Sequence, residues 1–99
     1  MAKVKEFHLV VTKKWYDMQV NGEKDEEYRE NNQFWRTRIG NILTSDHDIL
    51  ILVLHCGYTS IIAKFRVTEI SLGIGRQDWG APKERCFVIR HKKCFFKTK

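Results

Sequence analysis

Long apolar runs are missing from this sequence. No stretch of its 99 residues approaches the roughly eighteen consecutive apolar positions that a membrane-spanning helix needs. The opening segment, MAKVKEFHLVV, has neither the apolar core nor the cleavage site of a signal peptide. A soluble, cytoplasmic protein with no membrane partner is therefore expected. Cysteine is scarce: Cys56, Cys86 and Cys94 form no CxxC pair, and their odd number argues against a disulfide framework. Cys86, His91 and Cys94 could share a zinc ion, but the spacing is not a standard one. Reduced cysteines packed as small hydrophobes are the simpler reading, so neither metal nor cofactor is expected. His8, His47, His55 and His91 show no catalytic spacing. His55 and Cys56 are neighbours on an expected strand, where adjacent side chains point to opposite faces. There is one proline, no repeat and no linker. Nothing divides the chain, and a single domain is expected over 1–99, with a core at about 5–92 and a basic tail at 93–99.

What is present is positive charge and aromatic surface. The net charge is +6, which favours a polyanionic partner such as nucleic acid. Against that background, residues 21–30 read NGEKDEEYRE. Five of the twelve acids fall here, beside Lys24 and Arg29. A basic chain thus places an acidic knot just after a helix stop.

Hydrophobic periodicity supplies the frame. Residues 5–12 alternate as a first strand through Phe7, Leu9 and Val11. The hydroxyl of Thr12 can then cap a short helix whose apolar edge is Trp15, Met18 and Gln19, and Asn21-Gly22 ends it. EEYRE can run extended, with Glu27 and Arg29 on one face and Glu26, Tyr28 and Glu30 on the other. NNQFWRTRI reads as a short, Asn-capped helical turn. DHDILILVLHC is a central strand covered on both faces. SIIAKFRVTEISL alternates, with Ile61, Ala63, Phe65 and Val67 inward. GIGRQDWGAPKER is a loop, and CFVIRHK closes the sheet. The pattern predicts a mostly β, α+β fold: a small, largely antiparallel β-barrel with one or two short helices against it.

Gly22, Lys24, Glu27 and Arg29 match the pattern G-x-K-x-x-E-x-R, which resembles the signature of the ASCH domain family in the PUA-like superfamily. KKWYDMQVNGEKDEEYRENNQFWRTRI resembles the helix, signature and following segment of compact, often phage-encoded ASCH proteins. DILILVLHCGYTS resembles their apolar strand with its G-Y turn, and ERCFVIR their closing strand. The resemblance runs from about residue 5 to 92. It implies a PUA-like barrel, a cleft between barrel and helix lined by the signature, and an RNA-related role.

Physical chemistry gives the signature its own account. Gly22 lets the chain reverse, Lys24 can reach a cleft as a mobile ammonium, and Arg29 needs a carboxylate such as Glu27 if partly buried. The plainer alternative is a charged edge strand that keeps the sheet from pairing with another chain. Lys13 and Lys14 stand at a helix start and could hold a phosphate, or could extend into water. Trp35, Arg36 and Arg38 suit a stacked base and its phosphate, while either Phe34 or Trp35 is expected in the core. Tyr58, after Gly57, could add a hydroxyl or ring face. Trp79 is either a lid or a plug. Lys92, Lys93, Lys97 and Lys99 make a cationic tail, with nonspecific backbone affinity or plain solvation as its uses.

Three functions from different classes follow. The first is a monomeric binding module holding RNA, single-stranded nucleic acid or a nucleoside in the signature cleft. The second is a hydrolase with Lys24 and Glu27 as catalytic residues. Some ASCH proteins deacetylate acetylated cytidine with a lysine, a threonine and a distal glutamate. Here Lys24 matches, Glu27 stands where that branch carries its threonine, and Glu69 is the candidate distal acid. A ribonuclease would instead use Lys24 for charge stabilisation and Glu27 as base. The third is a viral interaction protein that engages a host protein.

Overall fold

The computed structural model describes residues 2–98. In chain order the elements are β1 (Val4–Val11), α1 (Lys13–Val20), β2 (Glu26–Glu30), α2 (Gln33–Thr44), β3 (Ile49–Cys56), β4 (Ile62–Gly73), a 3-10 turn at Gln77–Trp79, and β5 (Cys86–Lys97). The strands form one sheet in the order β1-β3-β4-β5-β2. The fold is α+β, a curled half-barrel with two short helices, in keeping with the class expected.

Alternation builds the core. Phe7, Leu9 and Val11 from β1, Leu50, Leu52 and Leu54 from β3, and Ala63 and Phe65 from β4 bury one face of the sheet. Tyr16 of α1 and Ile39 and Ile42 of α2 pack into the same cluster, so both helices cover the concave side. Register shifts occur between β4 and β5 at Lys64/Phe65, Phe65/Val67 and Val67/Glu69. Extra residues of this kind bend a strand and raise its twist, which curls the sheet. The strands at the two ends of the order, β1 and β2, are thereby brought round towards each other across a seam.

The sheet is largely antiparallel, as expected, with β1 and β3 paired in parallel. Other expectations need correction. The predicted helical turn after Asn32 is a twelve-residue helix, because Ile39 and Ile42 continue its apolar edge into the core. Its cap is as expected: Asn32 Oδ1 accepts from the Trp35 amide at 3.0 Å. Thr12 occupies the N-cap of α1 but makes no side-chain cap bond. Ile61 lies outside β4 and is exposed. The expected basic tail from residue 93 is strand through Lys97, since β4 is long enough to pair with it (Ala63 opposite Lys97). Lys99 lies outside the described residues. Among the described residues, no helix is long and apolar enough to cross a membrane.

Candidate functional site

The acidic knot folds into a buried ionic cluster. Gly22 adopts φ +90°, a left-handed turn open to glycine at little cost. The Lys24 amide then donates to Met18 O at 3.0 Å, which folds the chain back under α1. The Lys24 side chain is 1% exposed. Its ammonium donates to Glu26 O and, at 3.1 Å, to Glu27 Oε1, and it lies 4.8 Å from the Tyr28 ring centroid. Burial pulls the Lys24 pKa below the usual lysine range, and the Glu27 carboxylate partly offsets that pull.

Glu27 is the hub. Its Oε1 also accepts from Gln19 Nε2 at 3.2 Å, and its Oε2 from the Arg29 guanidinium at 2.6 Å. Arg29 donates in addition to Tyr28 O at 2.7 Å and to Val10 O at 3.1 Å. Behind the cluster, Gln19 Oε1 lies 2.8 Å from His91 Nε2, and His91 Nδ1 lies 2.8 Å from Lys92 O. Two oxygens at the ring nitrogens favour the charged imidazole. Burial is the larger influence and, with the Lys24 charge, pushes the His91 pKa down.

The opposite face of β2 forms a second group. Tyr28 donates to Glu26 Oε1 at 2.6 Å, and Arg90 donates to Glu26 Oε2 at 2.7 Å. Burial works to raise the Glu26 pKa, but these two bonds and the Arg90 charge leave it lowered. Burial, and after it the same carboxylate, push the Tyr28 phenol well above its ordinary range. This division of Glu27 and Arg29 from Glu26 and Tyr28 is the alternation expected of EEYRE.

Along the seam lies a cleft of about 530 Å³, within the size range of small-molecule sites. One wall is β1 from His8 to Val11, and the other is Glu27, Tyr28 and Arg29 of β2. Trp15 comes from α1, Phe34, Trp35 and Arg38 from α2, and Trp79 and Gly80 from the loop before β5. All three tryptophans of the chain therefore line one cavity. The Arg29 guanidinium carbon lies 5.2 Å from the Trp35 ring centroid, and the Phe34 and Trp35 rings meet edge to face at 4.9 Å. Gly80 (φ +86°) lies so close to Trp15 that a Cβ there would come within 2.8 Å of Cζ2.

Of the sequence-predicted residues, Glu27, Arg29, Trp35 and Arg38 line this cleft. Lys24 does not: it is fixed behind the wall, not a mobile ammonium, because Glu27 and two rings hold it there. Lys13 is exposed and paired with Asp17 at 2.6 Å. Lys14 is exposed, with its ammonium 4.6 Å from the Trp15 ring. Neither lines the cleft, and Arg36 turns to Asn31 instead. Tyr58 is 98% exposed on the turn after β3, where Gly57 takes φ +58°. Glu69 pairs with Arg90 at 2.6 Å, away from the cleft. Trp35 is half-buried against the core while Phe34 is exposed, and both face the cavity.

The cysteine and histidine candidates separate. His91 faces Gln19, Cys86 packs with Tyr28 and Val88, and Cys94 Sγ points to Phe96 O at 3.1 Å. Among the described residues, no three metal-ligating side chains cluster. His55 bonds His8 at 2.8 Å on the convex face, whereas Cys56 packs against the core.

Sequence reasoning missed Trp15 and Val10 as cleft residues. Trp15 reads as one edge of an amphipathic helix, and no local pattern marks a strand carbonyl as the acceptor for a guanidinium nineteen residues away. No family model, curated protein or solved structure matches this chain.

Proposed function

We propose that this protein is a nucleic-acid-binding module of ASCH, PUA-like type that takes an unpaired base into the seam cleft. The observation that carries the reading is the convergence of all three tryptophans and a pinned guanidinium on one cavity. Aromatic faces and arginine planes stack on any base, at about 1–3 kcal/mol per base. A base also carries donors and acceptors on its edge. The seam can meet them, because β1 and β2 are the outer strands of the sheet and present backbone groups that no further strand takes up. The net charge of +6 adds affinity for the phosphates.

The hydrolase reading has less support from the geometry. Lys24 is enclosed, Glu27 is committed to three donors, and Glu69 lies with Arg90 elsewhere. Tryptophan fluorescence, excited selectively, tests the binding reading directly, since all three tryptophans line the cleft. Short single-stranded oligonucleotides at low salt should quench it saturably, with affinity falling as salt rises. Trp79→Ala should weaken binding at least several-fold while leaving the far-ultraviolet circular dichroism unchanged. A folded protein that no oligonucleotide quenches at low salt would overturn the reading.

A further inference from the structure

We infer that the cleft takes one nucleotide of a continuous strand, whose sugar-phosphate backbone leaves over Arg38 into the groove between α2 and β1. This rests on the nucleic-acid reading above and adds a second, phosphate-binding subsite to it. Arg38 stands where three concavities meet. It lines the tryptophan cleft. It also lines a groove of about 260 Å³ with Lys5, His8 and Asn41, and a depression bounded by Gln33, Thr37 and Asn41. His8 too is shared by the cleft and the groove, so the two adjoin.

The charges in that groove are arranged for an anion. Arg29, Arg36, Arg76 and Arg90 are each engaged by acceptors within the protein. Arg38 is exposed, lies 6.0 Å from the Phe7 ring centroid, and has no ion-pair partner among the described residues. Lys5, on the β1 side, is likewise exposed and without one. The groove's one carboxylate, Glu6, is occupied: Lys64 donates to it at 2.9 Å, and His8 lies 3.2 Å from its other oxygen. The Lys64 bond keeps the Glu6 pKa lowered, so Glu6 stays a carboxylate already matched by a cation. Two free cations and a neutralised acid thus lead directly out of an aromatic cavity. A free nucleoside would use only the cavity. A strand would use both, with phosphates against Arg38 and Lys5.

Fluorescence titrations with uridine, uridine monophosphate, di- and tetrauridylate, and the matching thymidylate series test this. Tetranucleotide of at least one series should bind at least tenfold tighter than the nucleoside. Arg38→Ala and Lys5→Ala should each lower tetranucleotide affinity several-fold, more than nucleoside affinity. Each should also flatten the slope of log affinity against log salt by about 0.7. Arg66→Ala removes the same charge from the convex face and should leave that slope as it was. Equal affinity for nucleoside and tetranucleotide, or slopes that Arg38→Ala and Lys5→Ala do not move, would overturn the strand path while leaving the cleft reading intact. Absence of quenching by every ligand, uridine included, would overturn both.

Discussion

Arg29 of β2 donates across the seam to the carbonyl of Val10 on β1, at 3.1 Å, and so ties together the two outermost strands of the sheet. The same guanidinium is fixed from behind by Glu27 at 2.6 Å and Tyr28 O at 2.7 Å. A side chain that ties the seam of a half-barrel is a mechanical arrangement as well as an electrostatic one.

Arg29→Lys keeps the charge but replaces a planar fork with a single ammonium, which cannot meet three acceptors spread over two strands. Hydrogen bonds involving charged groups contribute about 1.5–3 kcal/mol each, and a loss in that range is expected in urea unfolding. Amide exchange should rise selectively along the β1 edge. An unchanged exchange pattern would mean that the seam is held by packing alone.

Glu27 and Lys24 should differ sharply as mutation sites. Glu27→Gln leaves two cations without a counter-charge in the interior, and breaking a buried pair in this way costs about 3–5 kcal/mol. Lys24→Met leaves Glu27 its bonds to Arg29 and Gln19 and should cost less than half as much. Adding Lys24→Met to Glu27→Gln should recover part of the loss, because one stranded ammonium is removed. Chemical denaturation of the two single variants and the double variant checks the ordering. If Lys24→Met proved the worse of the two, Glu27 would not be the hub.

How much of this was legible in the sequence follows from the range of each interaction. The bend at Gly22, the Asn32 cap and the pairing of Glu27 with Arg29 join residues within four positions of one another, and a strand or helix period places them. The inward set of β4, Ala63 and Phe65, follows from alternation in the same way. The length of α2, the parallel β1–β3 pair and the course of β5 past residue 93 depend on what packs opposite, which no local pattern encodes. The site divides along the same line. Arg29, Trp35 and Arg38 could be named, but the concealment of Lys24 and the meeting of Trp15, Trp35 and Trp79 are products of the curl. The sequence pattern makes Lys24 a mobile ammonium at a cleft; the fold instead holds it inside against Glu27.

Acid should weaken the fold before the carboxylates titrate. Burial holds the His91 pKa below that of a free histidine, so at intermediate pH the unfolded chain binds a proton that the folded chain does not. Stability is therefore full above the unfolded value of about 6.5. It falls as pH drops from there through the folded pKa. Urea unfolding at pH 7.5 and 5.5 should show this loss, and His91→Gln should remove most of the difference. An unfolding midpoint that rose as pH fell would contradict the assignment.

The order of pairing constrains how the protein is made. Tyr28 lies opposite Val88 and Glu26 opposite Arg90, so β2 gains its sheet partner only from β5, about sixty residues further along the chain. Asp25 O likewise waits for the His91 amide. During translation the Lys24–Glu27–Arg29 cluster must remain hydrated until β5 clears the ribosome. A chain cut short before β5 would leave those charges with no interior to enter.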